Sequence, residues 1–354
     1  MSDSPKVMTP RAAVARMAPY APPTGNRLGN LRLDFNENTV GCSPRVIEFL
    51  RNNLSAEGLA VYPAYTALRA AASEFYSIPP DQLLFCNGTD EAIHVFIQTY
   101  IDAGDELLLL RPSYAMYRFY AEVTGAKIHE IDYPAPNFEF PLEALLDAIT
   151  PAARGVIISN PNNPTGSATD QRGLERIIER AAHCPVLIDE AYFEFCGTTA
   201  RPYIAEHPNV FVSRTFSKVY GMAGLRLGVV FSQAANIAYM HKAQSPYSVN
   251  VMAALAAREA MRDQTYVRNY VDEVLAARTL LCEGLDRLGI RHVPSSANFV
   301  LSMIGERAIE IRDALREHSI LVRDRSYEIP GAVRFTVGTR EQIARLLQEL
   351  ERLW

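Results

Sequence analysis

Between about residue 81 and residue 230, short apolar runs alternate with amphipathic stretches. The runs at 83–85, 106–110, 127–131, 155–159, 185–189, 209–213 and 225–230 have the length and content of buried strands. Most are separated by segments of helical period, for example 91–101, 116–124 and 171–182. This alternation predicts an α/β domain on one largely parallel sheet of seven strands.

Beyond residue 232 the texture changes. Helical patterns follow one another at 234–244, 249–261 and 266–288, and strand-like pieces then return at 298–302, 320–322 and 333–337, with helices at 307–318 and 341–350. A second, smaller α+β domain is expected there. The first thirty residues are rich in proline and glycine (Pro19, Pro22, Pro23, Gly25, Gly29) and read as an arm lying across a surface. The expected division is an arm over 1–34, a large domain over 35–245 and a small domain over 246–354. No internal repeat or low-complexity tract interrupts it.

Composition narrows the function classes. With 354 residues the chain can bury a sizeable core without disulfide staples. No apolar run approaches the roughly 20 residues that span a bilayer, and the N-terminus lacks a secretory pattern, so a cytoplasmic protein with no membrane partner is expected. The net charge of −5, spread along the chain, offers no footprint for nucleic acid. Cys42, Cys86, Cys184, Cys196 and Cys282 are widely separated and the histidines scattered, which gives neither a zinc motif nor any other metal site.

Lysine is scarce: only Lys6, Lys127, Lys218 and Lys242 occur. Lys218 stands in Ser-Arg-Thr-Phe-Ser-Lys with Ala-Gly-Leu-Arg226 close behind. An amine condenses with an aldehyde only when unprotonated, and nearby arginines favour that state, so Lys218 is the candidate covalent anchor for an aldehyde cofactor. Other polar clusters also fall just beyond expected strand ends, where open parallel sheets place ligands: Gly88-Thr89-Asp90, Asn162-Asn163-Pro-Thr-Gly166, Asp189-Glu-Ala-Tyr192 and Thr215-Phe-Ser217. Four strand ends are thus expected to share one rim with this lysine.

These motifs resemble those of the fold-type I pyridoxal-phosphate aminotransferases. The carriers are Asp189-x-x-Tyr192, Ser217-Lys218, Ala-Gly-Leu-Arg226 and Asn-Pro-Asn-Asn163-Pro-Thr-Gly. Asn36-Glu37-Asn38, Tyr62-Pro63, Gly88-Thr89-Asp90-Glu91, Pro112-Ser-Tyr114 and Val333-Arg334-Phe-Thr-Val-Gly-Thr-Arg340 are similar to the histidinol-phosphate aminotransferase branch, and the likeness runs from about Pro19 to the C-terminus. It implies pyridoxal 5'-phosphate as cofactor. Lys218, Asp189 and Tyr192 would be catalytic, with Asp189 on the pyridine nitrogen. Asn163 and Tyr192 would meet the ring oxygen, and Tyr114 the ring face. Gly88, Thr89, Asp90, Thr215, Ser217 and Arg226 would form a phosphate cup at a helix N-terminus, completed by Tyr62 from a second subunit of a homodimer.

For substrate, the resemblance assigns Arg334 to the α-carboxylate and Arg323, with Tyr20, to the phosphate of histidinol phosphate. Asn163 would also face the substrate, and 2-oxoglutarate would be the amino acceptor in a ping-pong cycle. Thr39 and Cys42 stand where the family has prolines, Asn87 where arginine or glycine is usual, and the loop from Arg323 to Arg334 is short. These departures touch the substrate mouth more than the cofactor cup. An aromatic amino-acid aminotransferase therefore stays open as an alternative, as does a non-catalytic pyridoxal-phosphate binder.

Overall fold

The computed structural model describes residues 8–19 and 27–354. In chain order its strands are β1 (Leu31–Leu33), β2 (Leu83–Cys86), β3 (Glu106–Arg111), β4 (Lys127–Asp132), β5 (Ala153–Ser159), β6 (Val186–Asp189), β7 (Val210–Thr215), β8 (Gly228–Phe231), β9 (Phe299–Met303), β10 (Ile320–Asp324) and β11 (Ala332–Thr336). Seven of them form one sheet in the order β2-β8-β7-β6-β5-β3-β4. Only β8 runs against its neighbours, pairing antiparallel with both β2 and β7.

Both faces of this sheet are covered, which explains the unbroken apolar runs. Successive residues of one strand enter different cores: Val156 and Ile158 of β5 join one cluster while Ile157 joins the other, and β6 divides Val186 and Ile188 from Leu187 in the same way. Helices Gly88–Tyr100 and Ala115–Thr124 cover the second face through Ile93, Phe96, Ile97 and Tyr117.

The second sheet, ordered β1-β10-β11-β9, is mixed: β1 pairs parallel with β10, and β10 and β9 pair antiparallel with β11. Its helices include Gln264–Arg287, Ala308–Glu317 and Arg340–Leu353, the last closed at its start by a capping box between Thr339 and Gln342.

Two sequence expectations need correction. The arm expected over 1–34 ends early, because Leu31–Leu33 is β1 and Leu33 is fully buried in the smaller sheet's core. The strand expected at 225–230 begins three residues later. Ala223–Leu225 is a 3-10 turn, and Arg226 takes a left-handed backbone at φ 54°, which turns its side chain out of the sheet.

Candidate active site

Parallel register brings strand ends together. Ser159, Asp189 and Ser213 are cross-strand partners on adjacent β5, β6 and β7. Beyond those ends lies a cleft of about 250 Å³, lined by Thr89, Asp90, Tyr114, Asn163, Asp189, Tyr192, Thr215, Ser217, Lys218, Arg226, Arg323 and Arg334, all candidates from the sequence. Gly88 sits behind this wall, at the start of its helix and packed on the Arg226 guanidinium. Tyr62 lies elsewhere, 76% exposed and stacked on Tyr247 at 4.3 Å. Tyr20 falls outside the described residues.

Lys218 is half-buried in the cleft wall and donates its amine to the Phe35 carbonyl at 2.8 Å. Burial, followed by the repulsion of Arg334, lowers its pKa to about 8, so an appreciable fraction is unprotonated at neutral pH. Asp189 lines the same cleft and is buried. Its Oδ2 accepts from the Tyr117 hydroxyl at 2.7 Å and its Oδ1 from Ser213 at 3.0 Å, while burial pushes its pKa up to about 6. No ion pair to this carboxylate occurs among the described residues, so it is a buried anion with room for a cation on its cleft side.

The remaining walls are braced. Tyr192 accepts from Asn36 Nδ2 at 2.9 Å, and Asn36 holds a left-handed backbone at φ 57° between Tyr192 and Thr336. Tyr114 donates to Asp90 Oδ1 at 2.7 Å, and Asp90 Oδ2 accepts from Arg226 at 2.8 Å. The helix Gly88–Tyr100 has no side-chain cap at its start, and Gly228 of β8 leaves the space in which Gly88 and Thr89 approach that strand.

Arginines close the cleft on the small-sheet side. Arg323 and Arg334 are direct cross-strand partners, and Arg325 stands two residues along β10's path on the same side. Arg334 is buried, donating to Asn163 Oδ1 and to the Asp34 carbonyl, while its Nε has no partner. Burial and then Arg325 lower its pKa to about 10. Like charges set opposite each other repel, so this face is built to receive an anion.

A family profile described as aminotransferase class I and II matches residues 29–350. The chain belongs to that family. It is 36% identical to the histidinol-phosphate aminotransferase of Symbiobacterium thermophilum, over 96% of this chain and 97% of that protein. Among solved structures, the histidinol-phosphate aminotransferase of Clostridium acetobutylicum superposes with a TM-score of 0.83 at 25% identity, over 91% of this chain and 98% of that one. The Sinorhizobium meliloti histidinol-phosphate aminotransferase, solved in complex with pyridoxal-5'-phosphate, gives 0.81 at 23% identity, over 92% of each chain. This aminotransferase therefore has the fold-type I architecture and is a pyridoxal-phosphate-dependent transaminase.

The residues present suit that cofactor. A desolvated amine answers its aldehyde, a buried unpaired carboxylate answers its pyridine nitrogen, and an uncapped helix start with Arg226 answers its phosphate. Among the described residues, no cluster of His, Cys, Asp and Glu could hold a metal and no helix is long and apolar enough to cross a membrane. Sequence reasoning missed Tyr117, Ser213 and Phe35. Tyr117 carries one faint signal, since it stands three residues after Tyr114 and so within reach of the same helix start.

Proposed function

We propose that this aminotransferase exchanges an amino group between histidinol phosphate and 2-oxoglutarate by a ping-pong cycle, within histidine biosynthesis. The supporting observation is the arginine face of the small sheet, where Arg323, Arg325 and Arg334 look onto the same cleft as Lys218. Each substrate carries an anion near the carbon that exchanges nitrogen, a phosphate ester in one and a carboxylate in the other. One set of planar guanidinium groups can therefore serve both half-cycles. In this reading Arg334 takes the α-carboxylate, and Arg323, with Tyr20 at the same end, takes the phosphate.

The bound cofactor supplies an electron-accepting ring that stabilises negative charge at the substrate Cα. Lys218 anchors it and moves the proton at Cα, a task suited to an amine with a pKa of about 8. Asp189 keeps the ring nitrogen protonated, Asn163 and Tyr192 hydrogen-bond the ring oxygen, and Tyr114 lies against the ring. Gly88, Thr89, Asp90, Thr215, Ser217 and Arg226 hold the phosphate end. The protein works as a cytoplasmic homodimer in which Tyr62, exposed and remote from its own cleft, reaches into the other copy's site.

The test is a half-reaction. Holoenzyme mixed with histidinol phosphate should convert from the aldehyde to the amine form of the cofactor, and 2-oxoglutarate should restore the aldehyde form. Arg323→Ala should raise KM for histidinol phosphate by about 10- to 100-fold, the value of a lost charged hydrogen bond, while leaving turnover of phenylalanine or tyrosine unchanged. Conversion by aromatic amino acids but not by histidinol phosphate would instead identify an aromatic amino-acid aminotransferase.

A further inference from the structure

Asp189 can serve a pyridine nitrogen only if its carboxylate is held toward the cleft, and a neighbouring helix supplies a hold. The helix Ala115–Thr124 starts at the rim of the cleft, and its Tyr117 points back beneath the sheet's end, 2% exposed. Besides a hydrogen bond with Ser159, this side chain makes two contacts that bear on the cofactor site. Its hydroxyl donates to Asp189 Oδ2 at 2.7 Å, and its ring packs edge-on against Tyr114 at 5.6 Å and 84°. Tyr117 also lines the cleft itself. Resting on the proposed role of Asp189 toward the cofactor, we propose that Tyr117 is a positioning residue for the cofactor ring, its hydroxyl fixing the Asp189 carboxylate and its ring edge bracing the Tyr114 stacking face.

The geometry gives the hydroxyl a defined job. A carboxylate has several lone pairs, and those on Asp189 that do not face the cleft are taken by Tyr117, by Ser213 at 3.0 Å and by the Ala191 backbone. The carboxylate of Asp90 raises its proton affinity, and Asp90 is itself tied to Tyr114 and Arg226. Burial keeps the Tyr117 phenol protonated, far above its ordinary pKa, so it stays a donor across the working range. A donor to the charged carboxylate weakens that group's hold on a proton. The shared proton then stays on the ring nitrogen rather than passing to Asp189, which is the state in which the ring accepts electrons.

Tyr117→Phe removes the hydroxyl and keeps the ring, whereas Tyr117→Leu removes both contacts. In the holoenzyme, Tyr117→Phe should lower kcat about tenfold or more with KM within about twofold, on the scale of one hydrogen bond to a charged group. It should also shift the pH titration of the bound cofactor's absorbance, while cofactor affinity in equilibrium dialysis stays near that of the unaltered protein. Tyr117→Leu should in addition weaken cofactor binding, because Tyr114 loses its brace. Asp189→Asn is the reference for the wider reading. If it alters titration and kcat but Tyr117→Phe does not, the role of Tyr117 is overturned and that of Asp189 stands. If Asp189→Asn is silent as well, both fall.

Discussion

The Lys218 amine donates to the Phe35 carbonyl at 2.8 Å, so the segment that follows β7 is tied to the segment that follows β1. That contact only partly offsets the desolvation of a cation. With a folded-state pKa of about 8 against an ordinary 10.5, the charge opposes folding by about 3 kcal/mol at pH 7. The sign follows from the depression: the cost is complete below about pH 8 and disappears as pH rises through 10.5, where the unfolded lysine is neutral too. Lys218→Met leaves the Phe35 carbonyl unpaired, at about 1 kcal/mol. The cofactor-free variant should therefore be more stable than the unaltered protein by about 2 kcal/mol at pH 7, with the gain shrinking toward pH 10.5. Urea unfolding of both proteins across that range measures it, and a gain independent of pH would refute it.

The same depression controls reactivity. Only the free amine attacks an aldehyde, so the rate at which the cofactor-free protein takes up pyridoxal 5'-phosphate should rise with pH about a midpoint near 8. Stopped-flow absorbance over a pH series gives the midpoint. A value near that of a solvated lysine would show that the buried environment does not tune this group.

The sheet and the cleft were unequally legible in the sequence. Strands such as β5 and β6 were readable because burial on both faces demands an unbroken apolar run. β1 was not, because Leu-Arg-Leu is too short to carry a period and becomes a strand only by pairing with β10. Polar clusters after apolar runs marked Asp189, Asn163 and Lys218 as cleft residues. Tyr117 and Ser213 sit inside helix and strand patterns, where a hydroxyl reads as packing until the fold supplies its partner. Phe35 contributes a backbone carbonyl, which any residue carries.

Behind the cleft, Arg214 and Glu190 form a buried pair, 6% and 0% exposed, immediately beside Thr215 and Asp189. Arg214 gives two hydrogen bonds to Glu190 Oε2, at 3.0 and 2.8 Å, and its guanidinium lies 3.4 Å from the centre of the Phe193 ring. Removing one partner strands a charge away from water. Glu190→Ala should cost about 3–5 kcal/mol, and the double change Glu190→Leu with Arg214→Met should recover much of it. Chemical denaturation of the three proteins tests this, and a single variant as stable as the double would exclude the stranded-charge explanation.

Gly88 and Gly104 separate backbone strain from loss of the phosphate cup. Both hold positive φ, at 76° and 90°, so alanine at either position is strained. At Gly104 an added Cβ meets nothing within 4 Å, whereas at Gly88 it would lie 2.5 Å from Arg226 Nη2. The Arg226 side chain can move, but only by leaving Asp90, to which it is bonded at 2.8 Å. Gly104→Ala should therefore lose about 1–2 kcal/mol of stability and keep its cofactor affinity. Gly88→Ala should lose a similar amount and in addition bind pyridoxal 5'-phosphate about tenfold more weakly, as expected when a charged hydrogen bond to the phosphate is displaced. Equilibrium dialysis of the two variants decides the matter: equal affinities would mean that the contact between Gly88 and Arg226 plays no part in holding the cofactor.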